Sequence, residues 1–164
     1  MRGAVVITGA SSGIGAACAR YLDQQGFAVW AGVRSKADGE RLVRAASARL
    51  RVVTLDVTDP TSVAEAGRAI CEGTSESGLA GLVNNAGISV AGPLELLPLA
   101  EVRTQFEVNV IGALAVTQVL LPSLRLAQGR IVNISSIAGV AATPFLGAYC
   151  GSKFALEAMS DALR

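Results

Sequence analysis

A chain of 164 residues is long enough for one hydrophobic core, since chains near 150 residues bury about 68–70% of the surface their unfolded form exposes. The composition, 51% hydrophobic but only 4% aromatic and rich in Ala, Val, Leu and Gly, suits strands buried on both faces and excludes a disordered chain. Fourteen basic against 13 acidic residues leave a net charge of +1 with no basic run, and there is no histidine, so no nucleic-acid partner, His-based triad or metal site is expected.

In chain order, AVVIT (4–8), FAVWAGV (27–33), RVVTLDV (51–57), GLVNN (81–85) and RIVNIS (130–135) predict five short strands. Helical patterns fall between and after them, near 13–25, 36–48, 60–73, 101–126 and 148–164. Gly26 stands where a helix C-cap is wanted, and Asp59 before Pro60 reads as an N-cap with a first-turn proline. Such alternation means βαβ units, whose right-handed crossovers give a doubly wound parallel sheet, here in the order 3-2-1-4-5 with helices on both faces. Cys18, Cys71 and Cys150 lie far apart and read as buried thiols of a reducing compartment. MRGAVVITGA is too short an apolar run for a secretory signal and VIGALAVTQVLL is short of a membrane span, so a cytoplasmic chain without a membrane segment is expected.

The first strand runs into TGASSGIG, Thr8 to Gly15, and a helix follows at once. A helix N-terminus offers unpaired N–H groups and about half a positive charge, so it holds a pyrophosphate where no side chain blocks the approach. Gly9, Gly13 and Gly15 clear that space, with Ser11, Ser12 and Ile14 between them. The spacing is G-x-x-x-G-x-G, and here the sequence strongly resembles the short-chain dehydrogenase/reductase family, whose glycine motif is TGxxxGxG. Four further motifs follow in family order, so the resemblance covers essentially all 164 residues and implies a Rossmann-like fold. It implies one dinucleotide-binding domain, 1–164, carrying the catalytic residues, and a substrate-covering C-terminal part that is expected beyond Arg164.

An acidic residue about 20 positions past such a loop holds the adenine ribose 2′-OH, whereas an arginine accommodates a 2′-phosphate. The second strand ends in AGVRSK, with Val33 where the family's NAD-preferring members carry the acid. Arg34 suits a bidentate phosphate contact and Lys36 an assisting point charge, so NADP(H) is expected over NAD(H). The resemblance places Asp56 near the adenine amino group and Val57 on the ring face; a capping or loop role for Asp56 competes. In NNAG, Asn84 is assigned to structure, and Asn85, Ala86 and Gly87 to the cofactor.

Hydride transfer to a carbonyl needs a proton for its oxygen, and without histidine another acid must deliver it. Tyrosine ionises near pH 10 and needs a neighbouring positive charge to serve at neutral pH. In AYCGSK, Tyr149 and Lys153 stand four apart on one helix face, and Lys153 is also in reach of a nicotinamide ribose hydroxyl. Alone, such a pair would be surface decoration; its place after the fifth strand puts it at the ligand crevice. Ser136 matches the family's catalytic serine by its spacing to Tyr149, in preference to the adjacent Ser135. Asn109, in FEVNVIG, matches the position that interrupts the long helix and holds a water linked to the lysine.

The nearly uncharged stretches SIAGVAATPFLGAY and ISVAGPLELLPL favour an uncharged or lipophilic ketone or secondary alcohol. The expected protein is an NADP(H)-dependent oxidoreductase, a homodimer or homotetramer, with a small-molecule alcohol or ketone as partner. A non-catalytic dinucleotide-binding or assembly module and a sugar-nucleotide epimerase or dehydratase are the competing readings.

Overall fold

The structure, a computed structural model, describes residues 2–44 and 46–164, with every side chain among them except that of Lys36. Its order is β1 (Ala4–Ile7), α1 (Gly13–Gln24), β2 (Ala28–Val33), α2 (Lys36–Val43), β3 (Leu50–Thr54), α3 (Pro60–Gly73), β4 (Leu79–Asn84), α4 (Leu99–Phe106), a π-helical stretch Glu107–Gly112, α5 (Ala113–Leu126), β5 (Arg130–Asn133), a 3-10 turn Ile137–Gly139 and α6 (Gly147–Ala162). The strands form one parallel sheet in the order β3-β2-β1-β4-β5, the winding expected from the sequence.

Alternation along β1 shows why the sheet is covered twice. Ala4 and Val6 enter one core, with Val63, Ala66 and Ile70 of α3 and Val116, Leu120 and Leu124 of α5. Val5 and Ile7 enter the other, with Ala16 and Ala19 of α1 and Leu42 of α2. Successive strand side chains point to opposite faces, so an all-apolar strand requires helices on both sides.

Local chemistry sets the element ends. Asp59 caps α3 by accepting from the Thr61 N–H at 2.9 Å, and Gly26, at φ +87°, follows the C-cap of α1. The helix predicted over 36–48 stops at Val43. The buried Asp23 carboxylate takes both the N–H and the hydroxyl of Ser47 and sits 3.6 Å from the Arg49 guanidinium, which holds 47–49 out of a helix. β3 stops at Thr54, short of the predicted Val57, because the Asp56 side chain turns the chain through Thr58. β5 stops at Asn133, since the next carbonyl, that of Ile134, accepts from Lys153 instead of a strand.

Helical residues Leu99–Leu126 run without a break, and by length and composition alone this run is long and apolar enough to cross a membrane; half of its most apolar stretch is buried. The sequence expectation rested on VIGALAVTQVLL, residues 110–121, which is only part of this run. β5 is an edge strand, and beside its N-terminal end an open trough lies between α5 and α6, lined by Leu124, Ile131 and Leu163 among others.

Candidate active site

The C-terminal ends of β1 and β4 are locked together by one side chain from each. The Thr8 hydroxyl accepts from the N–H groups of Asn85 and Ala86, both at 3.0 Å, and the Asn85 amide donates back to the carbonyls of Thr8 and Gly9, also at 3.0 Å. Gly9 has φ +63°, and a Cβ there would lie 2.8 Å from the Ala86 Cα. A Cβ on Gly15 would lie 2.4 Å from the Gly9 carbonyl oxygen, so α1 starts this close to the turn only because both residues lack side chains. Around Gly13, at φ +53°, there is open space, and Ser12, Gly13 and Ile14 are exposed beside the half-buried Ser11. The first turn of α1 has no acidic residue, and the Ser12 side chain does not cap it. This is a cradle that fits the pyrophosphate of a dinucleotide.

Arg34 leaves the end of β2 exposed, directly after Val33, which is 1% exposed and part of the core. The side chain of Lys36 lies outside the described residues. Asp56 lies past β3; its Oδ1 accepts from the Thr58 N–H at 2.9 Å and hydroxyl at 2.7 Å. Those two bonds, backbone first, hold its carboxyl below the usual value against burial, and the Arg34 charge adds to them. Asp56 Oδ1 is thus engaged by its own loop, while Val57 beside it is buried.

The second group gathers around α6. Lys153 is only 6% exposed; its Nζ donates to the Ile134 carbonyl at 2.7 Å and stands 5.8 Å from the centroid of the Tyr149 ring. Burial pushes its ammonium below the ordinary lysine value, and no carboxylate pairs with it among the described residues. Gly87 is the near wall: a Cβ there would lie 3.3 Å from Asn109 Oδ1 and 3.9 Å from Lys153 Nζ. Asn109, 1% exposed inside the π-helical stretch, accepts from the Ile88 N–H at 2.9 Å. It donates to the Ile88 carbonyl at 2.9 Å and to the Ser152 hydroxyl at 3.0 Å. π-Bulges concentrate at functional sites, and this one aims an amide at the segment that follows β4.

Ser136 begins the 3-10 turn, accepting from the Ala138 N–H at 3.2 Å, two residues after the carbonyl held by Lys153. Its neighbour Ser135 has its hydroxyl buried, without a partner among the described residues. Asn84 donates to Thr117 at 3.0 Å and to Asn133 at 2.8 Å, a bridge between β4, α5 and β5. The structure thus brings Asn85 to Gly87, Asn109, Tyr149 and Lys153 into one cluster. Arg34, past β2, stands three strand spacings or about 14 Å from β5, and Asp56, past β3, stands four spacings or about 19 Å away. Thr8 and Gln105 carry bonds that the sequence reading did not assign. Thr8 stands inside the TGASSGIG motif, whereas nothing in the sequence marks Gln105.

A glycine-lined helix start and a buried lysine beside a tyrosine both lie at the C-terminal edge of a Rossmann-like doubly wound sheet. Residues 3–164 match the short chain dehydrogenase family, and the chain belongs to it. It is 45% identical over 161 residues to human retinol dehydrogenase 5 and 46% identical over 161 residues to human 17-beta-hydroxysteroid dehydrogenase type 6, covering 98% of this chain and 50% of each relative. The chain spans about half the length of the curated relatives it matches. Among solved structures, an alcohol dehydrogenase from the archaeon Thermococcus sibiricus complexed with 5-hydroxy-NADP superimposes with a TM-score of 0.92 at 30% identity, covering 98% of this chain and 69% of that one.

Proposed function

We propose that this chain carries the cofactor site and catalytic groups of an NADP(H)-dependent oxidoreductase acting on an uncharged or lipophilic ketone or secondary alcohol. The observation that carries the reading is the Lys153 ammonium, buried between the Ile134 carbonyl, the Tyr149 ring and Gly87 with no carboxylate partner among the described residues. A cation is costly to bury, and one kept beside a phenol stabilises the phenolate that a proton transfer creates.

A nicotinamide dinucleotide held by the turn from Gly9 to Gly15 and by Asn85 to Gly87 would supply or accept the hydride. Ser136 hydrogen-bonds the substrate oxygen and polarises it. Tyr149 gives that oxygen its proton in reduction and removes it in oxidation. Lys153 holds the charge that makes tyrosine usable near neutral pH. Asn109 fixes the segment after β4, and Asn85 to Gly87, with the turn from Gly9 to Gly15, form the cofactor's bed.

Preference for NADP(H) rests on Arg34, with Lys36 beside it in sequence and apolar Val33 where a carboxylate would otherwise select NAD(H). Val57 packs against the adenine, and the Asp56 loop borders it. A lipophilic substrate is supported by exposed Leu94, Leu96, Ile137, Val140 and Phe145 on the two connections flanking the cluster, and by the retinoid and steroid names of the relatives. The single domain 1–164 is proposed to work in the reducing cytoplasm, which suits three free cysteines, and to assemble as a homodimer or homotetramer.

The test is turnover of retinaldehyde and of a steroid ketone by the full chain, followed by loss of NADPH absorbance and repeated with NADH. Faster turnover with NADPH supports the proposal. No turnover of the steroid ketone, or equal rates with NADH, overturns the substrate class or the cofactor preference respectively; turnover of retinaldehyde alone moves the class to aldehydes.

A further inference from the structure

Gln105 is fully buried on α4, four residues before Asn109. Its Oε1 accepts from the Val90 N–H at 2.5 Å, and its Nε2 is buried without an acceptor among the described residues. Asn109 takes both the N–H and the C=O of Ile88. Four residues of helix rise about 6 Å, and two residues of extended chain span about 6.6–6.8 Å. The two amides therefore match residues 90 and 88 in antiparallel sense, standing in for the edge of a neighbouring strand. On its other side the same strap is tied to the loop before α6, where the Gly92 N–H donates to the Phe145 carbonyl at 2.7 Å. At its start lies Gly87, against Lys153.

We infer that Gln105 is a positioning residue for the nicotinamide end of the cofactor site: with Asn109 it holds residues 88–90 extended and thereby fixes Asn85 to Gly87 against Lys153. The inference rests on the cofactor reading above. An apolar residue would fill the same space without stranding a buried donor, so the amide is explained by the bond its oxygen makes to Val90. Gln105 touches no reacting atom; it acts through the strap.

The experiment compares the full chain with Gln105→Met, measuring the dissociation constants of NADP+ and of 2′,5′-ADP, which lacks the nicotinamide half, together with amide exchange at Val90. The expected result is an NADP+ constant raised about tenfold, the scale of one lost hydrogen bond, an unchanged 2′,5′-ADP constant and faster exchange at Val90. Unchanged binding of both ligands overturns the inference. So does an equal loss of both, which is what a merely structural role produces. Failure of the unsubstituted chain to bind either nucleotide is a different result: it removes the cofactor reading itself, and the inference with it.

Discussion

The Lys153 ammonium donates to the backbone carbonyl of Ile134 at 2.7 Å, so the end of β5 and the second turn of α6 are tied by the charge that faces Tyr149. An ammonium has three donors, and this bond uses one, leaving two for the tyrosine and a ligand hydroxyl. The same bond sets where the chain leaves β5, and Ser136 follows two residues later. Serine, tyrosine and lysine are thus placed by one short connection.

That buried cation should make stability depend on pH. Burial holds Lys153 below 10.5, its ordinary value, so its contribution is fully present above 10.5 and is lost as pH falls through the depressed folded value. Compared with Lys153→Met, the wild type should gain stability as pH rises across that interval. Urea unfolding of both proteins at pH 7 and pH 10 measures it, and a difference that does not change with pH would argue against a buried charge.

Tyr149→Phe should reduce kcat by about 10²–10⁴, the range of a lost general acid, while NADPH binding by fluorescence titration stays within a few-fold. Activity near wild type would remove Tyr149 from the proton transfer.

The two adjacent serines should separate cleanly. Ser136→Ala should lower kcat by about 10²–10³, as for a lost oxyanion donor. Ser135→Ala removes a buried hydroxyl without a partner, so activity should hold and thermal stability should be unchanged or raised, by up to about 1 kcal/mol. Matched activity losses in steady-state assays would contradict the assignment.

Arg34→Ala removes a charged contact worth about 1.5–3 kcal/mol to a 2′-phosphate, so NADPH affinity should fall about 10- to 150-fold with little change for NADH. The Asp56 carboxyl should also titrate higher, because Arg34 is one of the groups holding it down. NMR titration of Asp56 reads the second effect independently of any cofactor.

Gly15→Ala places a methyl 2.4 Å from both the Gly9 carbonyl oxygen and the Asn85 amide nitrogen. Overpacking of this kind costs about 1–3 kcal/mol, and relief by moving α1 should also widen the phosphate turn. Thermal unfolding and NADP+ titration should both report a loss.

The strands, their order and the glycine turn were legible in the sequence because they follow from local patterns. β1 is apolar at every position, which demands cover on both faces, and TGASSGIG combines a turn with a helix start. Tyr149 and Lys153 were legible as a pair because helical spacing alone puts them on one face. The element ends were less so: α2 stops early because Asp23, on another helix, captures Ser47, and β5 stops where Lys153 takes its next carbonyl. Gln105 was invisible, since the side-chain bond it makes among the described residues is to Val90, 15 residues back on a segment without regular structure.

By itself, then, the sequence determined which segments form strands and helices and which residues are candidates for the chemistry, because hydrophobic periodicity and residue type act over a few neighbours. Only the tertiary structure decided that Lys153 is buried without a counter-charge among the described residues, that Asp56 is engaged by its own loop, and that Gln105 and Asn109 hold the strap after β4. Burial and hydrogen-bond partners belong to contacts between distant segments, and those exist only once the sheet has brought the segments together.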